Sequence, residues 1–173
     1  MKERCRKGIP EAMRAHAWPK LVGSEKHRED QPGLFAQLLR APPTKELLET
    51  FEYIERDIYR TYPQYPLFAT RGGIGQTSLF RVLRAYATYD PYIGYCQGMG
   101  FITALLLSYM PEEEAFFMLL TLMRFGPHLL RDLYRPGLPE VPIFHYQLNV
   151  RRSPTCGVYS IAHAMLFFCF RRE

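Results

Sequence analysis

PPTKELLETFEYIERDIYR, residues Pro42 to Arg60, decides how the rest of the chain is read. Pro42-Pro43 is a stop. Thr44 is a helix N-cap, a residue whose hydroxyl can accept from an orphan N–H of the first turn. Leu47, Phe51, Ile54 and Ile58 then recur at spacings of four, three and four. At about 100° per residue they form one stripe roughly 60° wide, the mark of an amphipathic helix. Asp57 projects about 90° from the centre of that stripe, on its edge, while Arg60 lies about 150° away and Arg56 about 170°. Arg60 therefore points outward at the last turn, just before Tyr62-Pro63, where the helix dipole favours a cation. On spacing alone it reads as a solvated arginine.

The same period recurs on both sides. Upstream, Gly8-Ile9-Pro10 opens a helix with Ile9, Met13, Ala17 and Leu21 as its apolar face. Arg14 and Trp18, four apart, are neighbours on its surface. Pro19 should kink or end this helix near Trp18, and Gly23-Ser24 closes the unit. A polar loop over 25–31 and a short apolar piece, Leu34 to Leu39, follow. Downstream, 65–75 reads as a loop ending in Arg71-Gly-Gly-Ile-Gly75. It lacks the Lys-Ser/Thr of a phosphate cradle and reads as a flexible turn. The next helix, Gln76 to Tyr89, turns Leu79, Val82, Leu83 and Tyr86 inward.

Asp90-Pro91 breaks that helix, because a residue before proline is pushed out of the α region. A Gly-rich corner, Gly94 to Gly100, then presents the amide of Gln97. Met99, Phe101, Ile102, Leu105 and Leu106 make the following helix, to about Tyr109, apolar nearly all round, so the core should be built about Met99–Met110. Pro111 starts another helix, with Glu112, Glu113 and Glu114 at its positive end. Phe116, Leu119, Leu120 and Met123 form its buried face, and Gly126-Pro127 ends it. Leu129 to Tyr134 is a short amphipathic turn, Pro136, Pro139 and Pro142 force an extended crossing, and Ile143 to Leu148 resumes as a helix. Nowhere do apolar and polar residues alternate over five positions. The chain reads as all-α.

Composition narrows the function. With 173 residues, 47% of them hydrophobic, the chain can build one domain with a sizeable core. The net charge is +5. Arg151, Arg152, Arg171 and Arg172 against Glu173 place +3 of that after residue 148, so no basic stripe for nucleic acid stands out. Four dispersed cysteines without a CxxC pair fit reduced thiols in a cytosolic protein. His128, His145 and His163 lack metal-ligand spacing. Cys96 has no histidine beside it and reads as a small buried hydrophobe. The basic N-terminus has no apolar stretch of a signal peptide. The apolar run Val158 to Phe170 falls short of the about 20 residues a bilayer span needs.

Three separated segments carry a resemblance. Arg14-Ala-His-Ala-Trp18 resembles the Arg-x-x-x-Trp opening of the TBC-domain family, the Rab GTPase-activating proteins. Ile54-Glu-Arg-Asp-Ile-Tyr-Arg60 matches the family's Ile-x-x-Asp-x-x-Arg signature. Tyr95-Cys-Gln-Gly-Met99 is similar to its Tyr-x-Gln-Gly-Met motif. The resemblance implies an all-α fold. It implies that Arg60 and Gln97 enter a Rab GTPase together as catalytic groups supplied in trans. Asp57, Ile54, Tyr95 and Gly98 would support them, with Arg14 and Trp18 in structural roles. The chain would be an activator and not itself an enzyme, with no cofactor of its own, since GTP and Mg belong to the partner. It would act in the cytoplasm and be recruited to endomembranes through that partner, in vesicle traffic.

Two departures stand out. Gly100 occupies a position where the family usually has Asn. The resemblance also covers residues 1–148 as the N-terminal portion of such a domain, whereas 149–173 form a divergent tail. A truncated product is the expectation there. The alternative reading is accordingly a non-catalytic Rab-binding or scaffolding fragment, or an unstable isoform without activity.

Overall fold

The computed structural model describes residues 8–125 and 130–134. The expected stop at Gly126-Pro127, the crossing over 136–142, the helix over 143–148 and the tail over 149–173 lie outside the described residues. The described residues form eight α-helices: α1 (Glu11–Val22), α2 (Ser24–Asp30), α3 (Leu34–Arg40), α4 (Lys45–Ile58), α5 (Pro66–Ala69), α6 (Ile74–Tyr89), α7 (Met99–Leu107) and α8 (Glu112–Arg124). A 3-10 turn covers Leu130–Tyr134. No strand occurs among the described residues.

Helix α4 forms as its spacing dictates. The Thr44 hydroxyl accepts from the Leu47 N–H at 3.3 Å, and Leu47, Phe51, Ile54 and Ile58 are all buried. In α6 the four expected inward residues are likewise buried.

Four expectations need correction. Pro19 does not end α1, which runs to Val22 and closes where the Gly23 N–H returns to the Pro19 carbonyl at 2.9 Å. Proline removes one intrahelical bond, but here Trp18 and Pro19 are the buried residues of the helix. The Ile9–Met13–Ala17–Leu21 face is not the anchor. A strict spacing of four drifts by about 40° a step, and Met13 ends up exposed. The polar segment after Gly23 is a helix, α2, held by tertiary contacts and not by an apolar stripe. Ser24 is buried with its hydroxyl 3.6 Å from the Met118 sulfur, Arg28 pairs with Glu114 at 2.7 Å, and His27 stacks on Phe125. The glycine-rich turn is tighter than a loop. It contains α5, and Gly75 lies inside α6, where a Cβ would overlap the Leu67 carbonyl. Gln76 ties the two together, donating to the Phe68 carbonyl at 2.8 Å and accepting from the Gly72 N–H at 2.9 Å.

The centre of the core also shifts. Residues Ala115 to Met123 of α8 are buried without interruption, whereas Phe101, Leu105 and Leu107 of α7 are only half-buried. Helix α8 packs against α1, α2, α6, α7 and the 3-10 turn. Its acidic first turn is tied to neighbours: Glu112 to Arg81 at 3.1 Å and to the Ser78 hydroxyl at 2.8 Å, Glu114 to Arg28. Helix α7, shorter than expected, lies between this core and α4, so its N-terminal end reaches the last turn of α4.

Candidate functional site

At that junction one carboxylate joins two distant segments. Asp57 sits in the last turn of α4 with its side chain only 9% exposed. Its Oδ1 is paired with the Arg60 guanidinium. Its Oδ2 accepts from the Tyr95 hydroxyl at 2.5 Å. The edge position read from the helical wheel is thus covered by the corner that follows α6. Arg60 lies just past the helix, its N–H on the Asp57 carbonyl at 3.2 Å, and its side chain is 56% exposed. A guanidinium offers five donors in a planar fork, so holding on to Asp57 leaves others facing solvent.

Tyr95 is a fixed donor in this arrangement. Burial, then the hydrogen bond and charge of Asp57, push its hydroxyl far above the usual tyrosine range. The Gly100 N–H and the Arg60 charge oppose this without reversing it. Two residues on, Gln97 is exposed. Gly98 caps α7 with φ +103°, a left-handed conformation that a side chain rarely adopts. The Cys96 carbonyl accepts from the Met99 N–H at 3.1 Å, and the Gly98 carbonyl from the Phe101 N–H at 3.1 Å. These bonds set the corner on which Gln97 stands.

Gly100 is not the helix cap but the second residue of α7. A Cβ there would lie 3.0 Å from the Thr61 hydroxyl and 3.4 Å from the Tyr95 hydroxyl. An asparagine there would press on Thr61, whose own hydroxyl donates to the Asp57 carbonyl at 2.8 Å. Ile54, one turn before Asp57, is fully buried and anchors this end of α4.

The loop that carries Gln97 is clamped at its far end. Arg131 of the 3-10 turn makes a bidentate pair with Asp90, 2.7 Å and 3.2 Å, and lies 5.1 Å from the centre of the Tyr92 ring. Burial alone would raise the Asp90 carboxyl. The Arg131 hydrogen bond and charge, the Arg124 charge and the Ile93 N–H outweigh it and hold the group below the usual carboxylate range. Burial pushes the Cys96 thiol up, away from the thiolate a nucleophile requires.

Arg14 and Trp18 are at the opposite end of α7, about 13 Å along a helix of nine residues. Arg14 donates to the Tyr109 hydroxyl at 2.6 Å and to the Ile9 carbonyl at 3.2 Å. Trp18 meets Tyr109 edge-on at 4.9 Å. This cluster braces α1 against the end of α7 and does not touch the Arg60 corner. Thr61 and Arg131 escaped the sequence reading. Thr61 was detectable as the small polar residue following Arg60. Arg131 was detectable only as a cation in a short amphipathic turn, because its partner is 41 residues away.

Fold and site together define an all-helical module in which one carboxylate joins an exposed arginine to the corner that carries an exposed carboxamide. The model of the Rab-GTPase-TBC domain family matches residues 11–150, and the chain belongs to that family. It is 43% identical over 149 residues to human TBC1 domain family member 10B, covering 86% of this chain and 17% of that protein. It is 40% identical over 135 residues to mouse Carabin, covering 75% and 30%. It is 38% identical over 149 residues to the Caenorhabditis elegans Rab GTPase-activating protein eat-17, covering 86% and 16%. The chain thus spans less than a third of the length of each of these relatives. A crystal structure of the Chlamydomonas flagellar RabGAP TBC domain matches with a TM-score of 0.64 at 24% identity, covering 97% of this chain and 58% of that one. That likeness bears on the fold.

Proposed function

We propose that this chain accelerates GTP hydrolysis by a Rab-family small GTPase, supplying Arg60 and Gln97 in trans. The observation that carries the reading is the shared carboxylate. Asp57 ties the exposed Arg60 to Tyr95, two residues before the exposed Gln97. Family membership and the relative named as a Rab GTPase-activating protein support it.

The chemistry suits these residue types. Attack of water on the γ-phosphate spreads negative charge over the phosphoryl oxygens and the leaving oxygen. A guanidinium brought in from another chain stabilises that charge, worth roughly 10³ to 10⁵ in rate in related systems. Arg60 keeps free donors in a planar fork while Asp57 fixes its direction. A carboxamide donates and accepts at once, so Gln97 can orient the attacking water. GTP and its magnesium ion belong to the GTPase, and the chain needs no cofactor of its own. The encounter takes place at the endomembranes that carry the GTPase, in vesicle traffic. No described helix is long and apolar enough to cross a membrane.

Single-turnover hydrolysis across a panel of Rab proteins tests this. The intact chain is expected to accelerate at least one member, and Arg60→Ala and Gln97→Ala each to remove most of the effect. Unchanged rates for every member with the intact chain would overturn it. Capture of a Rab without acceleration would point to a binding module.

A further inference from the structure

The turn that carries Arg60 holds the one described non-glycine residue with a positive φ, Tyr62 at +47°. Bulky residues rarely enter this region, and a residue followed by proline, here Pro63, is normally driven to extended backbone. Such a conformation persists only where its surroundings impose it, and it concentrates at functional sites. Two contacts impose it here. The Tyr65 N–H donates to the Tyr62 carbonyl at 2.9 Å. The Tyr62 ring meets Phe101 edge-on, with centroids 5.2 Å apart and planes at 90°. Phe101 lies in the first turn of α7, four residues after Gln97, and its N–H holds the Gly98 carbonyl. Thr61, beside it, closes on Gly100 of the same turn.

We infer that Tyr62 is a positioning residue that locks the Arg60 turn to the Gln97 corner through its ring contact with Phe101, so that both groups meet the GTPase at a set separation. The inference rests on the proposed function. Tyr62 is 37% exposed, so its substitution opens no sealed cavity, and the ring contact with Phe101 ties it to α7.

The test uses the full 173-residue chain with Tyr62→Phe, Tyr62→Ala and Tyr62→Gly. Phenylalanine keeps the ring and should behave as the parent. Alanine loses the ring and keeps the backbone demand, and glycine loses both. The maximal stimulated rate should fall about tenfold in the alanine and glycine variants alike, as expected for a misplaced catalytic group. The half-saturating concentration should hold within about twofold, the mark of an interaction made in the transition state. Nitrogen-15 relaxation should show the Arg60 Nε–H and the Gln97 backbone N–H becoming more mobile in both. Glycine should be the more stable of the two in urea, because it accepts the positive φ. A parental rate in the glycine variant would mean that Tyr62 acts through stability alone, and unchanged relaxation in the alanine variant would sink the coupling. Where Arg60→Ala still stimulates hydrolysis, the reading of the site fails instead, and the relaxation data still decide whether Tyr62 joins the two segments.

Discussion

Asp57 has two oxygens and two jobs. One holds Arg60 and the other holds Tyr95. Removing the phenolic hydroxyl tests the second and spares the first. Tyr95→Phe should lower stability by about 1.5–3 kcal/mol, the range for a hydrogen bond to a charged group. It should also reduce the maximal stimulated rate by about tenfold, since the carboxylate that aims Arg60 would lose its lateral brace. Urea denaturation and single-turnover hydrolysis, run on one preparation, separate the two effects, and a stability loss with an intact rate would show Tyr95 to be scaffold only. Some of this was legible from residue types. The Asp57–Arg60 spacing puts the two on adjoining helix faces, and Gln97 stood out as an amide at the mouth of an apolar helix. The Tyr95 link was not legible from spacing, because it joins residues 38 apart. Gly100 is the converse case: its environment depends on Thr61, and nothing in the local sequence says that the two approach.

At the scale of elements, helical period was a reliable guide in α4 and α6 but not in α1, where a strict spacing of four left Met13 exposed. It gave α4 and α6 their inward residues, although α4 ends at Ile58 and leaves Arg60, expected in the last turn, just past the helix. It missed α2, whose sequence SEKHRED has no stripe, because that helix is stabilised by Ser24, His27 and Arg28 meeting α8. It also missed the compactness around Gly75. Glycine in that stretch read as freedom, whereas the structure uses it for closeness. Replacing a helical glycine by alanine ordinarily stabilises, by up to about 1 kcal/mol. Here the new methyl group would overlap the Leu67 carbonyl, and backbone yields less readily than a side-chain tip. Gly75→Ala should therefore destabilise by about 1–3 kcal/mol. A shift of the urea midpoint in the stabilising direction would show that α5 can move aside.

Across the whole molecule, the burial of α8 and the clamp at Arg131 bind the site to parts of the chain far from it. The net depression of the Asp90 carboxyl has a consequence with a definite sign. A carboxyl held below its unfolded value contributes stability that is present above about pH 4 and lost as pH falls through the folded value. Arg131→Met removes the partner and leaves a buried charge. The variant should be less stable by about 3–5 kcal/mol at neutral pH. The gap should narrow in acid, because the parent loses its ion pair there while the variant sheds an unpaired charge. Denaturation curves at neutral pH and at about pH 2, below the folded value, would check both parts, and a gap that widens in acid would contradict the assignment. The sequence could not reveal this tie, since Asp90 looked like a helix stop and Arg131 like part of a turn. One further consequence belongs to the meeting of two molecules. An unrestrained surface arginine forfeits about 2 kcal/mol of rotamer entropy when it is stilled. Arg60 is stilled during folding by Asp57, whereas Gln97 stands exposed on its corner. On the proposed function, the encounter would be asymmetric: the cation would arrive already ordered, and on this chain's side of the site most of the disorder lost at contact would belong to the glutamine.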